Sequence, residues 1–177
     1  RLALSYRSRI THRLKGTANF TDTPAAVGLL LSNPAVAPLL AGGIPFQHTT
    51  GTANFTTPAT AGLSYWHQDQ AFGLGIDLGW TQWNVMKQLT VNYGNPAQPP
   101  SSLDFNWHNT WYASVGADWY VTDKLTLRGG LGLDTTPTRA TTRDPRVPDS
   151  TRHLASIGIG YKASERFEIN ASFLHVF

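Results

Sequence analysis

Large apolar side chains alternate with polar or small ones at every second position through most of this 177-residue sequence. Near the start of the chain, the large apolar side chains share one parity and the basic side chains share the other. A helix would scatter this charge around its circumference, whereas a strand sorts it onto one face. We therefore predict an extended strand from Arg1 to about Phe20. The apolar set is Leu2, Leu4, Tyr6, Ile10 and Leu14, and the basic set is Arg1, Arg7, Arg9, Arg13 and Lys15.

Further stretches repeat the alternation and bring the predicted number of strands to seven. They lie at about residues 60–66, 72–93, 111–120, 125–133, 155–161 and 167–173. Inside the third strand, the apolar parity changes between Trp80 and Leu89. One inserted residue shifts the parity of a strand, so we predict a β-bulge within residues 81–88.

Short and long connections alternate between these strands. The short turns fall at residues 67–70, 122–124 and 163–166, and the long loops at about 21–57, 95–106 and 135–151. This asymmetry is typical of outer-membrane barrels, as is a girdle of aromatic residues at the membrane interface. Aromatic residues flank all three short turns: Tyr65, Trp66, Phe72, Trp119, Tyr120, Tyr161 and Phe167.

We therefore predict an all-β fold, an antiparallel transmembrane β-barrel. A soluble β-sandwich or barrel is the alternative, because its strands also alternate. Strands of ten or more residues are atypical of soluble domains, and this length favours the membrane barrel. The uncharged stretch 25–47 is interrupted by several Pro and Gly residues, so we do not expect it to be a membrane helix.

The composition argues against several other functions. The net charge is +3, with the basic residues spread along the chain, which gives nucleic-acid binding little support. There is no Cys, which excludes thiol chemistry and Cys-based metal sites. The six His are scattered, and we find no nucleophile elbow, phosphate-binding loop or zinc-spaced pair. We expect no enzyme, no cofactor and no metal; a lipid hydrolase using Ser114 and His108 is a remote alternative.

Several motifs resemble the FadL-type outer-membrane transporters of long-chain fatty acids. The resemblance rests on residues 134–137, 143–152 and 158–161, the strings DTTP, RDPRVPDSTR and GIGY, and its most specific part is the Arg-, Pro- and Asp-containing element of the last long loop. Residues 6–16, 80–83 and 111–128 follow in the order of the family. The resemblance implies a fourteen-stranded barrel in the bacterial outer membrane, plugged by an N-terminal hatch and monomeric when full length. It also implies passive uptake of hydrophobic molecules.

Set against that barrel, residues 1–177 are expected to be one partial barrel domain. Seven strands would suit strands seven to thirteen of fourteen. The hatch, the first half of the barrel and the final strand are then expected to be absent from these residues.

The first long loop is rich in apolar residues and almost without charge. An exposed apolar patch suits the capture of a fatty chain, while packing of these residues as a lid is equally compatible with the composition. The string GTANFT occurs at 16–21 and again at 51–56, and we predict that the two copies pair as antiparallel strands at the base of the loop. The candidate capture residues are Leu29, Leu30, Leu31, Val36, Leu39, Leu40, Ile44 and Phe46.

Arg7, Arg9 and Arg128 are candidate ligand contacts in the lumen. A carboxylate entering a poorly hydrated lumen needs a cationic partner, and Arg binds it in a bidentate manner. Pairing with Asp77 or Asp118, or with the hatch, is the alternative role of these side chains. In the last long loop, Arg and Asp residues alternate; we expect ion pairs that stiffen the loop rather than a grip on lipopolysaccharide phosphates.

The expected function is passive uptake of hydrophobic compounds, with long-chain fatty acids as the favoured cargo. An aromatic or alkane hydrocarbon porter is the first alternative, and a structural or adhesive barrel is the second. The expected partners are this hydrophobic ligand, outer-membrane lipid and lipopolysaccharide.

Overall fold

A computed structural model describes residues 1–21, 28–29, 31–36, 38 and 43–177. The strands in these ranges are β1 (Leu2–Arg7), β2 (Ile10–Ala18), β3 (Thr49–Thr57), β4 (Thr60–Gln68), β5 (Phe72–Thr81), β6 (Gln88–Tyr93), β7 (Ser101–Asp104), β8 (Thr110–Tyr120), β9 (Leu125–Asp134), β10 (Arg152–Ser164) and β11 (Phe167–Val176). Among the described residues, 3-10 turns include Trp83–Val85 and Ala140–Thr142. Within these ranges, no helix has the length and apolarity needed to cross a bilayer.

The strands form two sheets in two units. Unit 1 contains residues 1–10, 58–86 and 106–177, and unit 2 contains residues 11–57 and 87–105. In unit 1, seven strands lie in the order β1-β4-β5-β8-β9-β10-β11, and every pairing is antiparallel. In unit 2, the order is β2-β3-β6-β7. The all-β antiparallel architecture predicted from the alternation is confirmed.

The cross-strand register of unit 1 joins the apolar sides of its strands into one continuous surface, the apolar face. Leu4 lies opposite Leu63, which in turn lies opposite Leu78. On the far side of the sheet, Ile157 lies opposite Phe173. The large side chains of this face are solvent-exposed rather than packed in a core, among them Leu4, Leu63, Ile76, Leu78, Val115, Leu131, Ile157 and Phe173. Such a surface is typical of a barrel wall that faces lipid.

Two rows of aromatic residues border the apolar face on the central strands. Phe72 pairs with Trp119 beside the short turns, and Trp80 pairs with Trp111 at the opposite end. On β5 the two rows are eight residues apart, or about 27 Å along the strand, which suits an apolar band about 25 Å tall.

The predicted aromatic girdle is wrong for two residues, Trp66 and Tyr120. Adjacent residues of a strand point to opposite sides, so Tyr65 lies on the apolar face while Trp66 lies on the other one. Tyr120 likewise lies on the face opposite to Trp119. Distance from the turn does not determine the face, so Tyr65 and Trp119 lie on the side of the predicted girdle and Trp66 and Tyr120 do not.

The short turns join hairpins, as predicted. Between β4 and β5, one carboxylate oxygen of Asp69 accepts the backbone N–H groups of Ala71 (2.7 Å) and Phe72 (2.9 Å). These hydrogen bonds favour the charged carboxylate and lower the pKa of Asp69 below its ordinary value. The two other hairpins are β8–β9 and β10–β11.

Two predicted strands are interrupted in the structure. The first breaks at Ser8 and Arg9, because β1 pairs with β4 in unit 1 whereas β2 lies beside β3 in unit 2. The third ends at Thr81, and β6 starts only at Gln88. A 3-10 turn, in which the Met86 N–H donates to the Trp83 carbonyl oxygen (2.9 Å), stands where we predicted a β-bulge. The whole turn, rather than one inserted residue, therefore changes the parity.

The two copies of the repeated string lie on neighbouring strands, since β2 contains residues 16–18 and β3 contains residues 51–56. The prediction that the copies pair with each other is wrong, because Thr56 contacts Thr11 and the Phe20 N–H donates to His48 Nδ1, both outside the opposite copy. A hydrogen bond of 3.0 Å links the hydroxyls of Thr11 and Thr56 across them. One strand, β7, falls inside a stretch predicted to be a loop.

The apolar face makes a direct prediction about membrane stability. In the complete gene product, Val115→Arg should lower the free energy of unfolding from vesicles by about 2–4 kcal/mol, because it places a cation near the middle of the apolar band. Ser114→Arg, on the opposite face beside Asp77, is the control and should cost far less. Denaturant titration of the folded barrel measures both, and equal losses would contradict the assignment of faces.

Candidate functional site

The polar face of the seven-stranded sheet borders an open cavity of about 940 Å³. All seven strands of the sheet contribute residues to its lining, among them Trp66, Asp77, Asp118, Arg128 and Asn170. Polar side chains of the lining contact one another across strands; for example, the Ser64 hydroxyl donates to Asp77 (2.5 Å).

Arg128 is the predicted lumen cation that the structure places in this cavity lining. Its Nε lies 3.4 Å from an oxygen of Asp118, and its Nη1 donates to the Asn170 side-chain oxygen (2.8 Å). The Asn170 side-chain nitrogen donates in turn to Glu168 (2.9 Å). Arg128 thus has the ion pair with Asp118 that the sequence offered as its alternative role. The Arg128 side chain as a whole is still more than a third exposed (37%).

A glycine makes this arrangement possible. A Cβ atom at position 160 would lie 2.7 Å from both Arg128 Nη1 and the Asn170 side-chain oxygen. Real Cβ atoms do not approach other atoms this closely, so Gly160 lets the Arg128 side chain lie against β10.

The two other predicted cations lie elsewhere. Arg7 ends β1 with the parity of the polar face, and Arg9 lies in the break after β1. Both are exposed, and neither is among the described residues that line the cavity. Within the described part of the chain, neither forms an ion pair. The structure therefore does not gather Arg7, Arg9 and Arg128 into one site.

The first long loop is described in part. Leu29 is 73% exposed, Leu31 47% and Phe46 57%, while Val36 and Ile44 are half-buried. The predicted capture residues Leu30, Leu39 and Leu40 lie outside the described residues.

Phe46 belongs to an aromatic cluster in unit 2. Its ring centroid lies 5.7 Å from that of Phe20, and Phe20 lies 5.9 Å from Tyr93. The Phe46 N–H donates to the buried Gln98 side chain (2.6 Å), and the Asn95 side chain donates to the Ile44 carbonyl oxygen (2.9 Å). Phe46 has a φ of 61°, an uncommon conformation for an aromatic residue, which these contacts hold in place.

Phe20, Tyr93, Asn95 and Gln98 were not among the predicted site residues. They come from other parts of the chain, and the sequence carries no signal that joins them to Phe46. In this part of the loop, the apolar residues pack on the neighbouring segment, as the lid alternative requires; Leu29 and Leu31 remain exposed, as capture requires.

Ion pairs stiffen the last long loop, as predicted. Arg146 holds both carboxylate oxygens of Asp144 (2.9 and 2.7 Å), and Arg152 Nη2 lies 2.9 Å from Asp134 and 3.7 Å from Asp149. The Arg146 hydrogen bonds lower the pKa of Asp144 from 3.8 to about 2. At one side of this loop, the Arg139 Nε donates to the Asn106 carbonyl oxygen (2.7 Å), and an edge-to-face pair of Trp83 and Trp107 has ring centroids 5.1 Å apart.

Comparison with known families agrees with this architecture. The sequence model of the outer membrane protein transport protein family (OMPP1/FadL/TodX) matches residues 1–177. The chain belongs to this family. As a member of an outer-membrane transport-protein family, it is an outer-membrane protein and not an enzyme.

Individual relatives fit the same assignment. The chain is 26% identical to an outer membrane protein of Neisseria meningitidis serogroup B (99% of this chain, 38% of that protein) and 23% identical to the long-chain fatty acid transport protein of Escherichia coli K12 (99% and 38%). It therefore spans about two fifths of the length of these relatives.

Two solved structures share the fold. The chain superposes on a FadL homologue of Pseudomonas aeruginosa with a TM-score of 0.78 at 32% identity, covering 99% of this chain and 40% of that one. For the toluene transporter TodX of Pseudomonas putida, the TM-score is 0.55 at 17% identity, covering 98% and 39%.

The pair of Asp144 and Arg146 predicts a pH dependence. Because the pKa of Asp144 is lowered in the fold, its stabilising contribution is complete above pH 3.8 and is lost as the pH falls through about 2. Carboxyl ¹³C NMR of the detergent-solubilised protein should give a midpoint near 2 for Asp144, and Arg146→Ala should return it toward 3.8. Arg143→Ala is the control and should leave the midpoint in place. A midpoint near 3.8 in the parent would disprove the ion pair.

Proposed function

We propose that this chain is part of the wall of an outer-membrane transporter for the passive uptake of hydrophobic compounds, with long-chain fatty acids as the cargo. The proposal is carried by the exposure of large apolar side chains, Leu29 and Leu31, in a loop outside the apolar face. Water-facing loops seldom expose large apolar side chains so close in sequence, and a hydrophobic ligand would cover them. The name of the Escherichia coli relative supports the choice of fatty acids.

In this proposal, the first long loop captures the ligand. Burying two leucine side chains against an acyl chain gains about 1.5–3 kcal/mol for each side chain. The aromatic cluster of Phe20, Phe46 and Tyr93 supports the loop, because Gln98 fixes the backbone at Phe46. Neither step involves catalysis or a cofactor.

The cations have different tasks in this proposal. Arg128 is already engaged by Asp118 and Asn170, so a carboxylate would have to displace one of them. Arg7 and Arg9 form no ion pair within the described residues, and they are therefore the better candidates to bind a fatty-acid carboxylate. The apolar face is proposed to contact outer-membrane lipid, including lipopolysaccharide, around a monomeric barrel.

A hydrocarbon porter is the second candidate. The compensated charge of Arg128 favours it, since a neutral cargo would pass Arg128 without competing for the guanidinium. The fold shared with the toluene transporter TodX is compatible with this cargo.

Uptake assays test the capture loop. In the complete gene product, expressed in cells that lack their own fatty-acid transporter, Leu29→Asp and Leu31→Asp should each lower uptake of labelled palmitate at limiting concentration by about tenfold. Asn33→Asp, on the same exposed segment, is the charge-matched control and should have little effect, because Asp keeps the side-chain oxygen that accepts the Ala35 N–H. Surface abundance is equalised before the variants are compared.

Cation variants in the same assay separate the two cargoes. Arg7→Ala or Arg9→Ala should weaken palmitate uptake and leave toluene uptake unchanged, because toluene has no carboxylate. If a well-inserted parent takes up toluene but no palmitate, the fatty-acid assignment is wrong and the hydrocarbon porter replaces it. If it takes up neither, the proposed function fails.

A further inference from the structure

Trp66 has an unusual position on the polar face. It lies on β4 opposite Gly75, and its indole ring lines the 940 Å³ cavity. The face around it consists mainly of glycine, serine and charged residues, so Trp66 is among its few large apolar side chains.

Two glycines of β5 form a seat for this ring. A Cβ atom at position 73 would lie 2.7 Å from Cζ2 and Cη2 of Trp66, and one at position 75 would lie 3.2 Å from Cε3. The indole therefore lies flat against the backbone of β5. The Tyr120 hydroxyl borders this seat and would lie 3.0 Å from a Cβ atom at position 73.

The seat determines how far the ring projects. With Gly73 and Gly75 in place, Trp66 occupies space that two side chains would otherwise fill. A methyl group at position 73 would have to displace the ring, and the β5 backbone blocks movement in the opposite direction. The side that remains open is the cavity, so the displaced ring would narrow it.

We propose that Trp66, seated on Gly73 and Gly75, is a size-determining residue for the cargo that passes along the polar face. This inference rests on the proposed function. The flat ring keeps the cavity wide and offers hydrophobic cargo an apolar contact surface. A raised ring excludes bulky molecules more strongly than slender ones.

A neighbouring glycine provides a matched control. Gly116 lies directly opposite Gly75 on the same face. A Cβ atom there would meet the Gly129 carbonyl oxygen at 3.5 Å, an ordinary van der Waals distance, and no side chain would move. Gly116→Ala therefore adds the same methyl group to the same face without lifting a ring.

The test compares two cargoes in the complete gene product. One is labelled palmitate, and the other is a fatty acid that carries a bulky polycyclic fluorophore. We expect Gly73→Ala to lower uptake of the bulky cargo by about tenfold relative to palmitate. Gly116→Ala should leave the ratio of bulky-cargo uptake to palmitate uptake at the parental value, and Trp66→Ala should raise this ratio.

The double variant decides between a raised ring and a damaged fold. Adding Trp66→Ala to Gly73→Ala removes the ring that the methyl group lifts, so the ratio should return to that of Trp66→Ala alone. Heat-modifiable migration on gels shows whether each variant is folded. Acrylamide quenching, with Trp66→Phe subtracted to isolate the Trp66 signal, should increase in Gly73→Ala because the raised ring meets water.

Two results would overturn the inference. If the parent takes up both cargoes and Gly73→Ala changes the ratio no more than Gly116→Ala does, Trp66 does not set the size limit, although the proposed function stands. If the parent takes up neither cargo, the proposed function fails and the role of Trp66 fails with it.

Discussion

The antiparallel register of the seven-stranded sheet is the constraint on which the other features of unit 1 depend. A bilayer offers no hydrogen-bond partners to a backbone, so each strand must find them in its neighbours. Because side chains alternate along a strand, a slip of one residue would turn every leucine of that strand toward the polar face. The observed pairings, from Leu4 beside Leu63 to Ile157 beside Phe173, keep one face apolar across the whole sheet. The opposite face is thereby free to line a cavity.

On the polar face, glycines leave space for large side chains from neighbouring strands. At Gly160 of β10, the Arg128 side chain lies against the backbone and contacts Asp118 and Asn170. At Gly73 of β5, the Trp66 ring lies against the backbone. In both cases, a missing side chain on one strand accommodates a large side chain from another. Gly73, Gly75 and Gly160 are therefore specific positions that accommodate neighbouring side chains, whereas no side chain lies against Gly116.

The sequence predicts the parts of this fold that depend on local periodicity. Parity alone located the strands of unit 1 and the three short turns, because the period of two is a property of each strand by itself. It could not show that the first strand changes partner at Ser8, since pairing is a long-range property. The prediction of the interfacial girdle is wrong for Trp66, because proximity to a turn does not determine the face on which a side chain lies. Within the site, the apolar composition of the first long loop predicts Leu29 and Leu31 as candidate residues. The hydrogen bond between Phe46 and Gln98 could not be predicted, because the two residues are 52 positions apart in sequence.

Cysteine scanning along β8 tests the two-faced sheet most directly, and these 177 residues contain no native Cys to interfere. Single Cys residues at positions 113 to 118 of the complete gene product, in intact outer membranes, are treated with a water-soluble maleimide. A two-faced sheet predicts labelling of Ser114→Cys, Gly116→Cys and Asp118→Cys, with protection of positions 113, 115 and 117. Equal labelling of both parities, or labelling of the odd positions alone, would contradict it.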